Sequence, residues 1–229
     1  MTDTSDAAME PPVCWITNAF DRSPAEVVRV VGDAWGPLKG SLLNLSYGNG
    51  KVFVVPHERV GGVMQGGMCA LPIAALPTGV MRGRFGPEDG ALYACGMFAW
   101  AGDRTAPGGF YRLRATGKPM VLPTGLHATK TGMTIEFAAP LDRAAASDPS
   151  RYAVKTWALQ RSANYGSEHH NVALQRVSAA SVSDDGRTVT LTLPEIRPTW
   201  CMEIKYRVAG IDGAAVEGVI HNTIHHLAE

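Results

Sequence analysis

Two segments of the chain repeat one pattern: a β-type run, a glycine-containing turn and a second β-type run. The copies are SLLNLSYGNGKVFVV (41–55) and GVMRGRFGPEDGALYAC (79–95), and they begin 38 residues apart. A strand–turn–strand unit that recurs at about 40 residues is typical of β-propeller blades. Because a ring needs roughly four to eight blades, the two units predict the last blades of a propeller rather than a closed ring.

The composition favours a turn-rich β protein and argues against two classes of partner. The 229 residues include 25 Gly and 15 Pro, which suits short strands joined by turns. Lys and Arg total 21, as do Asp and Glu, so we expect no nucleic-acid partner. No run of 18 or more apolar residues occurs, and we expect no membrane span.

The N-terminal segment is polar and acidic. Residues 1–12, MTDTSDAAMEPP, are expected to be disordered, and they lack the charged and apolar regions of a secretory signal. If Met1 is the natural start, this predicts a cytoplasmic protein. If the chain belongs to a longer protein, a periplasmic or extracellular location is predicted instead.

The sequence pattern changes near residue 118, which predicts a second domain. Residues 119–229 contain about seven strands of alternating polarity and an Asp-Gly hairpin turn at 185–186. This spacing is typical of an immunoglobulin-like β-sandwich, in which we expect Leu191 to be buried. We therefore predict an all-β chain, with partial β-propeller blades over 13–118 followed by an Ig-like sandwich over 119–229.

Several segments carry a resemblance to a known family. The chain resembles the C-terminal region of sorbosone- and glucose-dehydrogenase-like six-bladed β-propellers, in particular the large bacterial proteins that join such a propeller to a cytochrome c or haem-binding module. The segments that carry the resemblance to the propeller are WGPLKGSLLNLSYGNGKVFVV, VMQGG, GVMRGRF, DGALYACG and FYRLRATGKP. Those that resemble the sandwich after that propeller are APLDRAAASDPSRYAVKTWALQRSANYGS, VSDDGRTVTLTLPEI and EIKYRVAGIDG.

The resemblance implies a function for a longer protein. The chain would be a C-terminal fragment or subunit of a quinone-dependent, sugar dehydrogenase-like protein. Its partners would be the remaining propeller blades or a cytochrome c module, and its ligand a sugar. Pyrroloquinoline quinone and haem c would belong to the full-length parent, and no cofactor is expected in this chain.

The chain departs from that family in two ways. The earlier blades are absent, and no CxxCH haem attachment site occurs. We therefore expect the chain to be non-catalytic by itself and to self-associate through the open strand edges of an incomplete propeller. The alternative is a non-catalytic binding module for a protein partner or a polysaccharide.

Candidate ligand-binding residues lie in and beside the repeats. His57 and Glu58 follow a predicted strand, where they would bind a sugar hydroxyl or act as a base, or form a solvated loop pair. Arg82 and Arg84 alternate along one strand, and Arg112 repeats the pattern. These arginines would hold a quinone carboxylate, or form salt bridges between blades.

Gln65 lies among glycines. These glycines would let a ligand or a neighbouring backbone approach closely, or they would form a β-bulge. The polar loop 161–171 is the predicted contact site of the second domain, through Arg161, Tyr165 and His169.

Aromatic, histidine and cysteine residues carry weaker signals. The residues Trp15, Trp35 and Trp100 would stack on sugars or pack between blades. We predict no metal site, because the histidines near the C-terminus have no Cys or acidic ligand at metal spacing. Cys69 and Cys95 are predicted to be free thiols or, in an oxidising compartment, a bridge.

Overall fold

The computed structural model describes residue 5 and residues 8–99 and 102–229, and its regular structure is almost entirely β. The strands are β1 (Pro24–Arg29), β2 (Leu42–Ser46), β3 (Val52–Val54), β4 (His57–Val60), β5 (Val63–Ala70), β6 (Gly79–Phe85), β7 (Leu92–Met97), β8 (Gly108–Leu113), β9 (Pro123–Thr129), β10 (Gly132–Phe137), β11 (Tyr152–Ala158), β12 (His170–Gln175), β13 (Ala179–Val182), β14 (Thr188–Thr192), β15 (Thr199–Ala209) and β16 (Ala215–Ile224). One α-helical turn, α1 (Arg143–Ala146), and two 3-10 turns, Gly36–Leu38 and Pro149–Arg151, complete the elements of the described residues.

The strands form three antiparallel sheets. The largest has the order β1-β2-β3-β5-β16-β15-β11-β12, with β4 paired to β5 beside this path. The second has the order β13-β14-β10-β9, and the third β6-β7-β8. Within the described ranges, none of these sheets closes on itself. The all-β prediction is therefore confirmed, whereas the propeller and Ig-like assignments go beyond what the sheets show.

The second half of the chain packs as a β-sandwich. The four-stranded sheet lies against the β11–β15–β16 part of the large sheet, and both contribute to one buried cluster. In β15 the alternation of Ile204, Tyr206 and Val208 with charged residues places the apolar side chains inward, as expected for a half-buried strand. Across the two layers, Phe137 meets Tyr206 edge to face, with ring centroids 5.6 Å apart.

Two local predictions are confirmed. The 185–186 turn joins the paired strands β13 and β14, with Gly186 at a φ of 72°. The repeated strand–turn–strand units are the hairpins β2–β3 and β6–β7. They belong to different sheets, however, because β3 pairs onward with β5 while β7 pairs with β8.

The predicted domain division at residue 118 does not coincide with a break in hydrogen bonding. Strand β5 pairs with β16 through the couples Met68–His221, Gly67–Asn222 and Gly66–Thr223. The main buried cluster likewise contains side chains from both sides of residue 118. Segments 13–118 and 119–229 thus share a sheet and a core.

The N-terminal residues 13–20 lie against the large sheet without adding a strand to it. These residues form no strand, because they bind to the large sheet by single contacts instead of a ladder. One contact is the Trp15 N–H, which donates to Thr223 Oγ1 at 2.8 Å. Of the predicted disordered segment 1–12, residues 1–4, 6 and 7 lie outside the described residues, as does Trp100.

No helix in the described residues has the length and apolar character needed to cross a membrane.

The burial of Leu191 yields the first testable prediction. Leu191 lies on β14, is fully buried and pairs with Met133 of β10. Replacing it with Ala removes apolar contacts and leaves a cavity, so Leu191→Ala is expected to lower the free energy of unfolding by about 2–5 kcal/mol. The measurement is urea unfolding followed by tryptophan fluorescence.

The matched control is Leu174→Ala on β12, where the leucine is 84% exposed. This change is expected to alter stability by no more than about 0.5 kcal/mol. Equal effects of the two substitutions would contradict the assigned phase of β14.

Candidate functional site

Glu58 and Gln65 form a cross-strand pair between β4 and β5. The Gln65 Nε2 donates to Glu58 Oε1 at 2.8 Å, and the backbone N–H of Ala128 donates to the same oxygen at 2.9 Å. The other carboxylate oxygen pairs with His127 Nδ1. Glu58 therefore connects the large sheet to β9 of the four-stranded sheet.

Gln65 uses all four of its hydrogen-bonding positions within the protein. Besides Glu58, its Nε2 donates to the carbonyl of His226 at 2.9 Å, and its Oε1 accepts from the backbone N–H groups of His225 and His226. The side chain is only 1% exposed. A fully satisfied buried amide of this kind stabilises a fold and leaves no donor for a ligand.

The glycines next to Gln65 allow the backbone of a neighbouring strand to approach β5 closely. A Cβ at Gly67 would lie 2.7 Å from both the carbonyl oxygen of His221 and Leu126 Cδ1. Of the two predicted uses of these glycines, the structure shows the approach of a neighbouring strand. His57, although adjacent to Glu58, pairs its Nδ1 with the carbonyl of Val55 and takes no part in the Glu58 contacts.

The three predicted arginines lie on one exposed face of the β6–β7–β8 sheet. Arg84 forms an ion pair with Glu26 of β1, with 2.8 Å between Nη1 and Oε1, and thereby joins two sheets. Although burial by itself raises the pKa of Glu26, hydrogen bonds from Arg84 and the Gly83 N–H lower that pKa overall. Arg112 pairs with Asp89 at 2.8 Å, whereas Arg82 donates to the carbonyl of Met81.

The predicted contact loop 161–171 is exposed over most of its length, as expected. Tyr165 is 69% exposed and its hydroxyl lies 3.2 Å from Ser23 Oγ. Arg161 donates to the carbonyl of Ser5. His169 stacks on Trp157 at a centroid distance of 4.3 Å, so it covers the sheet beneath the loop.

A row of polar side chains, which the sequence analysis did not identify, crosses the large sheet under that loop. Lys155, Glu203 and His221 are direct neighbours on β11, β15 and β16. The Lys155 Nζ lies 3.1 Å from Glu203 Oε1, and the His221 Nε2 lies 3.4 Å from Glu203 Oε2. The imidazole is packed between the rings of Phe20 and Trp157.

Burial controls the charge state of His221. The side chain is 3% exposed, and its Nδ1 has no hydrogen-bond partner among the described residues. Burial lowers the pKa of His221 to about 4; Glu203 opposes this shift, while Lys155, His169 and Lys205 add to it. The imidazole is therefore neutral at pH 7.

A cleft of about 490 Å³ opens between β11–β12 and the segment 195–200. Its walls combine two indoles with amide, hydroxyl, carboxylate and guanidinium groups. The residues that carry these groups are Trp157, Trp200, Asn171, Gln175, Thr156, Thr199, Glu195 and Arg197. Trp200 is half-buried and stacks on Trp15 with 5.7 Å between centroids, which holds its indole in place.

Trp35 packs in the core, and the two cysteines predicted as free thiols or a bridge are not bonded to each other. Trp35 is buried and its Nε1 donates to the carbonyl of Gly90. Cys69 and Cys95 are both free thiols. Cys69 is buried, which raises its pKa, whereas Cys95 is exposed on another sheet.

No group of three or more His, Cys, Asp or Glu side chains with the geometry of a metal site occurs in the described residues.

Sequence reasoning found Glu58 and Gln65 but missed His127 and Trp200. In β9, Leu126 is buried and the next residue, His127, is exposed. Alternating polarity over residues 123–129 was therefore the available signal for a strand that carries His127. Trp200 is the second residue of β15 and lies two positions after Pro198. No local signal marks it as part of a cleft, because the opposite wall comes from β12.

The comparisons with known proteins return no relative. No protein-family model matches the chain, and neither a curated protein nor a solved structure matches it significantly.

The buried His221 gives a pH-dependent prediction. Because its pKa is lowered on folding, its contribution to stability is fully present above about pH 6.5 and is lost as the pH falls towards 4. The shift corresponds to roughly 3 kcal/mol. In His221→Gln this loss is expected to disappear, as measured by urea unfolding at a series of pH values.

The comparison must be made as a difference between wild type and variant. Burial raises the pKa of Asp21 to about 6, with a hydrogen bond from the Ser46 hydroxyl opposing the shift. Asp21 therefore adds stability as the pH falls through that range and acts in the opposite direction. If His221→Gln loses stability between pH 6.5 and 4 as steeply as wild type does, protonation of His221 is not the cause of that loss.

Proposed function

We propose that the chain is a non-catalytic binding module whose ligand is a polysaccharide, held in the cleft between β11–β12 and residues 195–200. The cleft itself carries the proposal. Its volume of about 490 Å³ lies within the usual range of about 300–1,000 Å³ for ligand sites. It accommodates a short stretch of sugar units.

The chemistry of the walls matches a neutral sugar polymer. A pyranose ring has an apolar C–H face that packs on an indole, and Trp200 offers such a surface at the cleft. Hydroxyl groups at the ring edge require donors and acceptors on the same walls. Asn171, Glu195 and Arg197 provide both.

The gain on binding comes from pre-organised groups. Gln175 is held by a hydrogen bond from its Nε2 to Thr156 Oγ1 at 3.1 Å. Trp200 is held by its stack on Trp15. Side chains that are fixed before the ligand arrives lose little conformational entropy when they bind it.

Titration of oligosaccharides tests this proposal. Neutral oligomers of glucose, xylose and mannose are added to the chain, and binding is followed by tryptophan fluorescence and calorimetry. Wild type is expected to bind at least one of them, and Trp200→Ala to weaken this binding by about tenfold or more through loss of the stacking surface.

Phe110→Ala is the matched control, because this exposed aromatic residue lies on another sheet and should leave the affinity unchanged. Asn171→Ala tests the cleft without touching the Trp15–Trp200 stack. If wild type binds none of the oligomers, or if Trp200→Ala binds as wild type does, the cleft is not a polysaccharide site.

A second proposal keeps the chain as the C-terminal part of a propeller-type, quinone-dependent sugar dehydrogenase. Two antiparallel units, β1–β2–β3 and β6–β7–β8, favour it, since blades are meanders of this kind. In this proposal the other blades or a cytochrome c module pair with the exposed edges. Self-association through those edges also stays a prediction.

For this second proposal we expect no turnover by the isolated chain. The sheets of the described residues are open, so they enclose no channel for quinone and sugar. A dye-linked assay with pyrroloquinoline quinone and a panel of aldoses measures this. Turnover above background would contradict the expectation that the missing blades are required.

A further inference from the structure

The outer face of the β6–β7–β8 sheet combines exposed aromatic and cationic side chains. Strand register brings them into two adjacent rows that each cross all three strands. The first row is Arg82, Cys95 and Phe110, and the second is Arg84, Tyr93 and Arg112. Strands lie about 4.8 Å apart, so each row is roughly 10 Å wide.

The inner face of the same sheet is buried, which makes the sheet a firm support. Leu92 and Val80 are fully buried within the main core cluster. A Cβ at Gly83 would lie 2.9 Å from Leu45 Cδ1, so β6 sits directly on the large sheet. The outer side chains are thus presented by a packed layer and not by a free ribbon.

Two aromatic rings form the centre of the outer face. Phe110 is 72% exposed and stacks on Tyr93, with 5.9 Å between centroids and 27° between planes. The Tyr93 hydroxyl donates to Asp89 Oδ2 at 2.7 Å, and the Arg112 guanidinium lies 5.9 Å from the Tyr93 centroid. The Phe110 ring therefore has one face on Tyr93 and most of its surface open to solvent.

Guanidinium groups flank this aromatic pair on both sides. Arg82 makes no ion pair within the described part of the chain, while Arg84 and Arg112 are paired with Glu26 and Asp89. Arg84 and Arg112 nevertheless stay 75% and 52% exposed. Because a guanidinium carries five N–H donors, a single carboxylate contact leaves donors for a second anion.

We propose that this face binds single-stranded nucleic acid, with a base stacked on Phe110 and backbone phosphates bound by Arg82, Arg84 and Arg112. Aromatic side chains that stack on bases, beside cations that follow the phosphates, are the two requirements for binding a single strand. The proposal concerns a different surface from the polysaccharide cleft and does not depend on it.

The neutral charge of the whole chain does not oppose this assignment. Affinity for phosphates depends on the cations within reach of the backbone, and three arginines lie within two rows of one sheet. A neutral polysaccharide would make no use of the charge on these arginines, and a simple anion would make no use of the exposed Phe110 ring. A single strand uses both groups.

Fluorescence anisotropy with labelled oligo(dT) and the full chain tests the proposal. Wild type is expected to bind at low salt and to weaken as salt rises. Phe110→Ala is expected to lower the affinity by about 5- to 150-fold, which is the effect of losing one stacked base. Arg82→Gln should reduce the slope of log affinity against log salt by about 0.7, and Arg82→Lys should restore it.

Leu174→Ala on β12 is the matched control, because it truncates another highly exposed apolar side chain and should leave binding unchanged. The melting temperatures of all variants are compared with wild type. Absence of saturable binding at low salt overturns the proposal. Equal affinity of wild type and Phe110→Ala also overturns it, since the contact would then be purely electrostatic. A third contrary outcome is that polygalacturonate binds as tightly as oligo(dT) and that this binding also depends on Phe110. The face would then be assigned to acidic sugars.

Discussion

The pairing of β5 with β16 is the contact on which the rest of the structure depends. It joins strands about 150 residues apart and unites the β1–β2–β3 unit with β15, β11 and β12 in a single sheet. The close approach requires Gly67, where any side chain would meet the His221 carbonyl and Leu126. One small residue thus permits the sheet to continue from the first part of the chain into the second.

Polar groups reinforce this pairing. Gln65, next to the glycines on β5, binds Glu58 and the backbone at residues 225–226, just after β16 ends. On β16 itself, His221 pairs with Met68 and contacts Glu203. Each such group is costly to bury unless its partner is in place, so these contacts favour one register of β5 against β16 over a shifted one.

The sequence predicted individual strands well because their evidence is local. Alternation in β15 and the hairpin turn at 185–186 follow from neighbouring residues, and both agree with the structure. Residues 13–20 form no strand, because their contacts with β16 are isolated hydrogen bonds and not a ladder. Glu58 and Gln65 were recognised separately, but their pairing depends on the β4–β5 hairpin turn at 61–62, which was not predicted.

The candidate surfaces could not be predicted from the sequence, because they depend on which strands pair with each other. The residues Arg84, Tyr93 and Arg112 are far apart in the chain, and only the register of three strands places them in one row. Glu26 and Asp89 pair with two of these residues, and a chain-wide charge of zero averages the row further with the charges of the rest of the chain. Whether a face attracts an anion depends on the charges within about one Debye length, roughly 10 Å. Recognition is therefore a property of the sheet and its register, and the composition of the whole chain constrains it only weakly.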